Sequence, residues 1–369
     1  MTLRLRGFLV EEDDTYVVSL VRAMLGLFLL FSAFREASRL SRDNYFGDVF
    51  HIPLVPDALV PGRGVFTVLL LAQVVLAVLV AIGRFARPSL LATAVIGLYL
   101  LGCDRLSYHN NRYALFLFSL LVAFSPCDRA FVWGRPAKAA EERKGPLWAA
   151  RLAQLQMAII YLASGGSKLA DEDWRDGRVI GDRLLRSTSL AVAQGVPPVV
   201  MEMLAHPMLS SSLAKLAILT ELFLAIALFV RRTRAFALWW GVMFHLTIEV
   251  TSRVELFTWL SLAIYALFAV PTVGERAILY EPGHRWGERV ARMVQRADWL
   301  LRFEVRSDAA AAAGHGFVVV ERDGSRAAGL LGWARIARAI PLLFPLSVPL
   351  WVIARVVSRP AEDARAAAC

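Results

Sequence analysis

Val65 to Ile82 reads VFTVLLLAQVVLAVLVAI, eighteen residues with two polar side chains, Thr67 and Gln73. At about 1.5 Å per residue, a helix of this length covers most of the ~30 Å hydrocarbon core of a bilayer. The stretch is therefore read as a membrane span. Seven more apolar stretches resemble it: Tyr16 to Phe34, Leu90 to Cys103, Tyr113 to Phe124, Leu147 to Ala163, Leu213 to Val230, Ala235 to Ile248 and Leu256 to Val270. Several are short, so their ends must reach into polar flanks or lie buried in a bundle. Ser189 to Leu204 is apolar too, but Gly195, Pro197 and Pro198 interrupt it, which suits a re-entrant or interfacial segment better than a ninth span.

The whole chain agrees with that reading. It has 369 residues, is 57% hydrophobic and has a mean hydropathy of +0.53, a composition that lipid solvates and water does not. The apolar stretches end near residue 270. Beyond it Arg, Asp and Glu increase and short alternating patches suggest strands. The expected architecture is an all-α polytopic membrane bundle of about eight spans (residues 1–274), then a small C-terminal α/β domain (275–360) and a tail (361–369).

The net charge of +10 lies between the spans and not in a basic stripe interleaved with aromatics, so nucleic acid is not an expected partner. It reads instead as a topology signal. One set of connections carries Arg84 and Arg87, then Arg129, Arg135, Lys138, Arg143 and Lys144, then Arg231, Arg232 and Arg234. The positive-inside rule puts that set and both termini in the cytoplasm of a multi-pass cell-membrane protein. Arg35 to Gly64, Tyr108 to Arg112, the segment after Ser164, and Glu249 to Glu255 then share the extracytoplasmic side. Met1 to Asp14 lacks the order of a cleaved signal peptide, so the first span is expected to stay as an anchor. Cys103, Cys127 and Cys369 form no CxxC or zinc spacing, and neither a disulfide framework nor a metal is expected.

The most unusual stretch runs from Tyr161 through Ser164, Gly165, Gly166, Ser167 and Lys168 to Trp174 and Gly177. Small residues at a helix end let backbones approach closely, and an ammonium there is partly desolvated, which tunes a lysine towards use as a base. Lys168 is the candidate catalytic group. The competing reading is a lysine snorkelling to the interface with Asp171 or Asp173 as counter-ion. A second polar group, including His109, Asn110 and Asn111, opens the fourth span. His245 and Glu249, one turn apart on a helix, form a third; they are half of a metal-type pair with no second half, and a histidine satisfied by a neighbouring helix is the alternative.

At these residues the sequence resembles the vitamin K-dependent gamma-carboxylase family, specifically its bacterial relatives, the horizontally transferred transmembrane (HTTM) domain proteins, over about residues 10 to 272. The strongest part is Gln156 to Gly177, with Gln-x-x-x-x-Tyr, Ser-Gly-Gly-Ser, Lys-Leu and Trp-x-x-Gly. The resemblance implies that Lys168 is the base acting on a reduced quinone of menaquinone or vitamin K type, with a peptide or protein substrate on the extracytoplasmic side. Asn110 to Tyr113 is similar to the family's Asn-His-x-Tyr, with Asn111 in place of the histidine and His109 two residues upstream. Phe244 and His245 are similar to the family's Phe-His. Tyr161, Trp174, His109, Asn110, Asn111, His245 and Glu249 would line the pocket, with Asn110 positioning substrate.

Ile278 to about Pro360 resembles the DCC-type thiol-disulfide oxidoreductase domain, a thioredoxin-like module. Its carrying features are Leu279 and Tyr280 ending a strand, an amphipathic helix through Val290 and Val294, the strand Phe317 to Val320, the Arg322-Asp323-Gly324 turn, and Gly332 to Ile340. Where that family has Cys-x-x-Cys this chain has His284, Arg285, Trp286 and Gly287, so dithiol exchange, which needs two thiols, is expected to be absent. The prolines Pro345 and Pro349, and the shortness of the stretch, argue against a further span at Leu342 to Val357. Two functions stay open: a quinone-dependent, carboxylase-like or epoxidase-like membrane enzyme, and a non-catalytic membrane scaffold or maturation factor for a small secreted peptide. Transport is disfavoured, because no inverted repeat with paired broken helices is seen.

Overall fold

The computed structural model describes residues 7, 11–41, 46–47, 50–106, 108–193, 195–252, 256–269, 271 and 274–366. Cys369, the first six residues and the 253–255 part of the expected Glu249 to Glu255 turn lie outside them. The chain is mostly helical, and two compact units divide it: Met1–Ala225 with Phe244–Phe268, and Ile226–Met243 with Ala269–Cys369.

The first unit opens with a short strand β1 (Glu12–Asp14) and α1 (Tyr16–Ser41), then α2 (Arg63–Ile82), α3 (Ala86–Gly102) and α4 (Asn110–Ala123). Strand β2 (Lys144–Pro146) pairs antiparallel with β1, Asp14 opposite Lys144. It leads into α5 (Trp148–Ala170). Four short helices follow, Glu172–Arg175, α6 (Arg178–Arg186), α7 (Thr188–Ala193) and α8 (Pro198–Ala205), and then α9 (Pro207–Ala227), α10 (Arg234–Ser252), whose part up to Met243 belongs to the second unit, and α11 (Leu256–Tyr265). The interruption expected between Ser189 and Leu204 is the break between α7 and α8, where Pro198 begins the second helix and needs no intrahelical N–H partner.

Each of the eight apolar stretches falls largely in one of these helices. Among the described residues, however, only Tyr16–Leu40, Arg63–Ile82 and Pro207–Ala227 are long and apolar enough to cross a membrane alone, and a fourth span exists only if a bent helix pair near the C-terminus counts as one. Ala86–Gly102 and Leu256–Phe268 are apolar but shorter. Length and composition therefore support three or four spans rather than eight.

Arg22 fastens the α1 to α4 part. It is fully buried, and its guanidinium donates to the carbonyls of Val80 and Ala81 at 2.8 Å, Ala130 and Phe131 at 2.8 Å, and Cys127 at 3.2 Å. The last carbonyls of a helix have no partner within it; here one planar fork of five donors satisfies the end of α2 and the loop after α4 together. Across the bundle, Gly97 on α3 has no room for a side chain, since a Cβ there would meet the Phe116 ring at 2.2 Å.

The second unit contains β3 (Ala277–Tyr280), α12 (Arg285–Ala297), β4 (Glu304–Ser307), β5 (Phe317–Val320), β6 (Arg326–Ala328), α13 (Gly329–Ala339) and α14 (Phe344–Ala366). The sheet order is β4-β3-β5-β6; β3 and β4 are parallel, while β5 is antiparallel to both its neighbours. Val290 and Val294 of α12, Ile336 of α13, and Ile278, Phe317 and Val319 of the sheet form its core. The arginines of α12 fall on the opposite face, as the 3.6-residue period requires. Pro345 and Pro349 do not prevent a helix: α14 runs continuously from Phe344. Pro345 sits in the first turn, where no N–H partner is lost, and Pro349 forfeits one bond. Leu346, Val348, Val352, Ile353 and Val356 of this helix are exposed.

Candidate functional site

The end of α5 carries the site. Its small residues matter individually. Gly165 is buried, and a Cβ there would lie 3.1 Å from the Leu222 side chain and 3.3 Å from that of Glu221, so its missing side chain is what lets α9 approach. Gly166, one residue on, has nothing within 4 Å. The close approach brings the Glu221 carboxylate of α9 against Lys168.

Lys168 Nζ donates to Ser164 Oγ at 2.9 Å and forms an ion pair with Glu221 Oε1, to which Ser164 Oγ also donates at 3.1 Å. The ammonium lies 4.9 Å from the centre of the Trp174 ring, a cation–π contact. The Lys168 and Glu221 side chains keep 18% and 7% of their exposure. Glu221 is the counter-ion that the sequence reading missed in favour of Asp171 or Asp173. Asp171 caps the short helix Glu172–Arg175 by accepting from the Asp173 amide, and Asp173 pairs with Arg178. Glu221 Oε2 is buried and has no hydrogen-bond partner among the described residues.

Deeper on the same face of α5, Tyr161 is fully buried. Its hydroxyl is 2.6 Å from His245 Nε2 and hydrogen-bonds to the Tyr265 hydroxyl of α11. Residues 161, 164 and 168 are spaced at i, i+3 and i+7, which aligns them on one stripe of the helix. A polar track therefore runs from the buried tyrosine–histidine–tyrosine cluster to the Lys168–Glu221 pair. His245 is 2% exposed and is flanked by the rings of Phe244 and Phe257.

The other sequence candidates lie on or at the cap of α4, α10 and α12. His109 and Asn110 are exposed at the start of α4, where His109 Nδ1 caps the helix by accepting from the Asn111 amide at 3.3 Å. Asn111 is buried within α4. Glu249 follows His245 by one turn of α10, and its Oε2 is buried with no hydrogen-bond partner among the described residues. In the second unit His284 caps α12, its Nδ1 accepting from the Gly287 amide at 3.2 Å. Both residues abut Gly316: a Cβ on Gly287 would strike the Gly316 carbonyl, and one on Gly316 would strike the His284 ring. No group of three or more His, Cys, Asp or Glu side chains among the described residues is placed to hold a metal.

Glu221 and Tyr265 were legible in principle. A lone carboxylate inside an apolar stretch is a functional candidate by default, and Glu221 is the only Asp or Glu between Leu213 and Val230. Nothing in the local pattern, however, pairs it with a lysine 53 residues away.

The family model for the HTTM domain matches residues 11–272, well over half of the chain. No curated protein and no solved structure matches.

Proposed function

Because the chain belongs to the HTTM domain family, we propose that it is a multi-pass membrane enzyme of carboxylase-like or epoxidase-like chemistry, dependent on a reduced quinone and acting on a peptide or protein at the extracytoplasmic side. The observation that carries this reading is the buried Lys168–Glu221 pair, set at the head of a polar track in an otherwise apolar bundle. Ionisable groups at such depth are costly and are kept where they serve a site. The residues fit a quinol: Glu221 Oε2 is a buried acceptor without a donor, Lys168 supplies a fixed positive charge, and Trp174 offers an aromatic face beside it.

A reduced quinone of menaquinone or vitamin K type, when bound, supplies acidic hydroxyls and two reducing equivalents. Lys168, Glu221 and Trp174 would hold its polar end, while Tyr161 and His245 form the polar floor below. The remaining expected spans would be the shorter apolar helices, α3, α4, α5, α10 and α11, shielded within the bundle, with both termini cytoplasmic by the arginine and lysine distribution. In the second unit the β4-β3-β5-β6 order and the helix between parallel strands β3 and β4 support a thioredoxin-like reading. His284 and Gly287 occupy the helix start where a dithiol would be activated. With no thiol there, this unit is a binding or structural module.

A second reading, a membrane scaffold or maturation factor for a small secreted peptide, is favoured by one observation: the Lys168 ammonium is already held by Glu221 and Ser164 beside the Trp174 ring, as in a structural clamp. Purified protein in lipid nanodiscs, given chemically reduced menaquinone and dioxygen, separates the two. The enzyme reading predicts quinol consumption that Lys168→Ala abolishes. If no quinol is bound or consumed, and the variant is indistinguishable from wild type, the scaffold reading replaces it.

A further inference from the structure

The corner between α2 and α3 holds a cavity of about 330 Å³, lined by Arg84, Phe85, Arg87, Asp128, Val132 and Arg135 among others. Its position follows from α2. That helix is long and apolar enough to cross a membrane alone and ends at Ile82, capped by Gly83 in the left-handed region, so the cavity lies where such a span meets the headgroups. The walls are tied together by hydrogen bonds. The Trp133 amide donates to the Ile82 carbonyl at 2.8 Å. Arg84 donates to the Trp133 carbonyl through Nε and Nη2 at 3.3 and 3.1 Å, and Arg87 Nε donates to the Ala123 carbonyl at the end of α4 at 3.2 Å. Each of these two guanidiniums is therefore held by one edge. Arg84 Nη1, both terminal nitrogens of Arg87 and the Arg135 side chain have no hydrogen-bond partner among the described residues, and no ion pair there joins any of the three arginines to Asp128. Three guanidiniums around one cavity against a single carboxylate leave an excess of positive charge, which repels itself until an anion joins it.

Two aromatic rings accompany that charge. Phe85 takes the left-handed conformation at φ 51° and ψ 33°, a strained state for a bulky residue, yet its ring is 77% exposed, so packing within the protein does not offset the strain. Trp133, next to the lining residue Val132, is 74% exposed. Aromatic rings at headgroup level anchor membrane spans. We propose that this corner binds an anionic glycerophospholipid, its phosphodiester accepting hydrogen bonds from Arg84, Arg87 and Arg135, and its glycerol and upper acyl chains lying against Phe85 and Trp133. Arginine suits the phosphate because its planar fork donates two parallel bonds. A free phosphate offers the same charge but nothing for the two rings, and a zwitterionic lipid leaves the excess charge unbalanced. The site is independent of the quinol reading and stands if that reading fails.

Native mass spectrometry on the full-length, delipidated protein in detergent tests this, reading the affinity of the first lipid bound. Dioleoylphosphatidylglycerol should bind about tenfold or more tighter than dioleoylphosphatidylcholine. Arg87→Gln and Arg135→Gln should each weaken phosphatidylglycerol binding about fivefold, the scale of one basic side chain at an anionic surface, and leave phosphatidylcholine binding unchanged. The double variant Arg231→Gln, Arg232→Gln removes two exposed arginines that do not line the cavity, and it should bind phosphatidylglycerol like wild type. Equal binding of the two lipids by wild type would overturn the proposal, and that comparison needs no variant to fold. A loss in the Arg231 and Arg232 variant as large as in the cavity variants would replace the site by general attraction to basic loops. Displacement of the lipid from wild type by inorganic phosphate, at ionic strength matched with chloride, would make this a free-phosphate site and overturn the lipid assignment.

Discussion

Lys168 on α5 and Glu221 on α9 form a part-buried ion pair through one carboxylate oxygen, while the other carboxylate oxygen has no donor among the described residues. The pair joins two helices.

Breaking such a pair on one side should be worse than removing it altogether. Losing one partner of a buried pair costs about 3–5 kcal/mol because the other charge stays behind, whereas apolar replacement of both is often near neutral. Lys168→Met or Glu221→Leu should each destabilise the purified protein by about 3 kcal/mol, the low end because Lys168 keeps some exposure. The double variant should recover most of that loss. Thermal unfolding in one detergent, run as a double-mutant cycle, reads the coupling. Additive single effects would show that the two side chains do not interact.

The two adjacent glycines should respond oppositely. Gly165→Leu must displace Leu222 and the Glu221 side chain, and overpacking of this kind costs about 1–3 kcal/mol. Gly166→Ala meets nothing within 4 Å and should be neutral, or stabilising by up to about 1 kcal/mol through helix propensity. The same unfolding measurement compares them, and equal losses at both positions would contradict the placement of Gly165 against α9.

Much of this was legible in the sequence, and what was missed has physical reasons. Apolar runs such as Val65 to Ile82 mark helices well, because burial and period act locally; that run is α2, which begins two residues earlier. Counting spans is harder, since a helix such as α3, seventeen residues long, falls short by length whatever its surroundings. Lys168 stood out because small residues precede it. Its partner did not, because pairing between α5 and α9 is a tertiary fact. The prolines of α14 do not stop it from being a helix: the rule against proline inside helices is strict in the middle of a helix and weak in its first turn, where Pro345 lies.

Arg22 should be among the least replaceable residues outside the site. Arg22→Met keeps the volume but leaves five carbonyls without their donor, including the end of α2. A cost of about 3 kcal/mol or more is expected from hydrogen bonds to a charged donor. A drop in folded yield and melting temperature larger than that of Arg22→Lys, which retains the charge with fewer donors, checks it. Equal behaviour of the two would mean that charge, not the fork of donors, matters there.

Asp298 gives the second unit a pH dependence. It is 7% exposed and accepts from the Arg302 and Phe303 amides at 2.8 and 2.7 Å. Burial pushes its carboxyl above the usual range, with those amides opposing the shift. A folded pKa above the unfolded value means the native state holds the proton more readily. The group's stabilising contribution is then fully present below the unfolded pKa of about 3.9 and is lost as pH rises through the folded value. Asp298→Asn should abolish that loss, at a constant cost of about 1 kcal/mol for one surrendered amide bond. Hydrogen exchange of the Arg302 and Phe303 amides across an acid pH series reads both effects; a variant with the wild-type pH slope would contradict the assignment.

The central claim, that the head of the α5 track is a quinol site, is tested most directly by a cryo-electron microscopy map of the full-length protein in nanodiscs containing reduced menaquinone. The account predicts density for an aromatic head group beside Trp174, with a hydroxyl within hydrogen-bond distance of Glu221 Oε2. Ordered quinol bound elsewhere, or an empty, unchanged Lys168–Glu221 pair at saturating quinol, would contradict it.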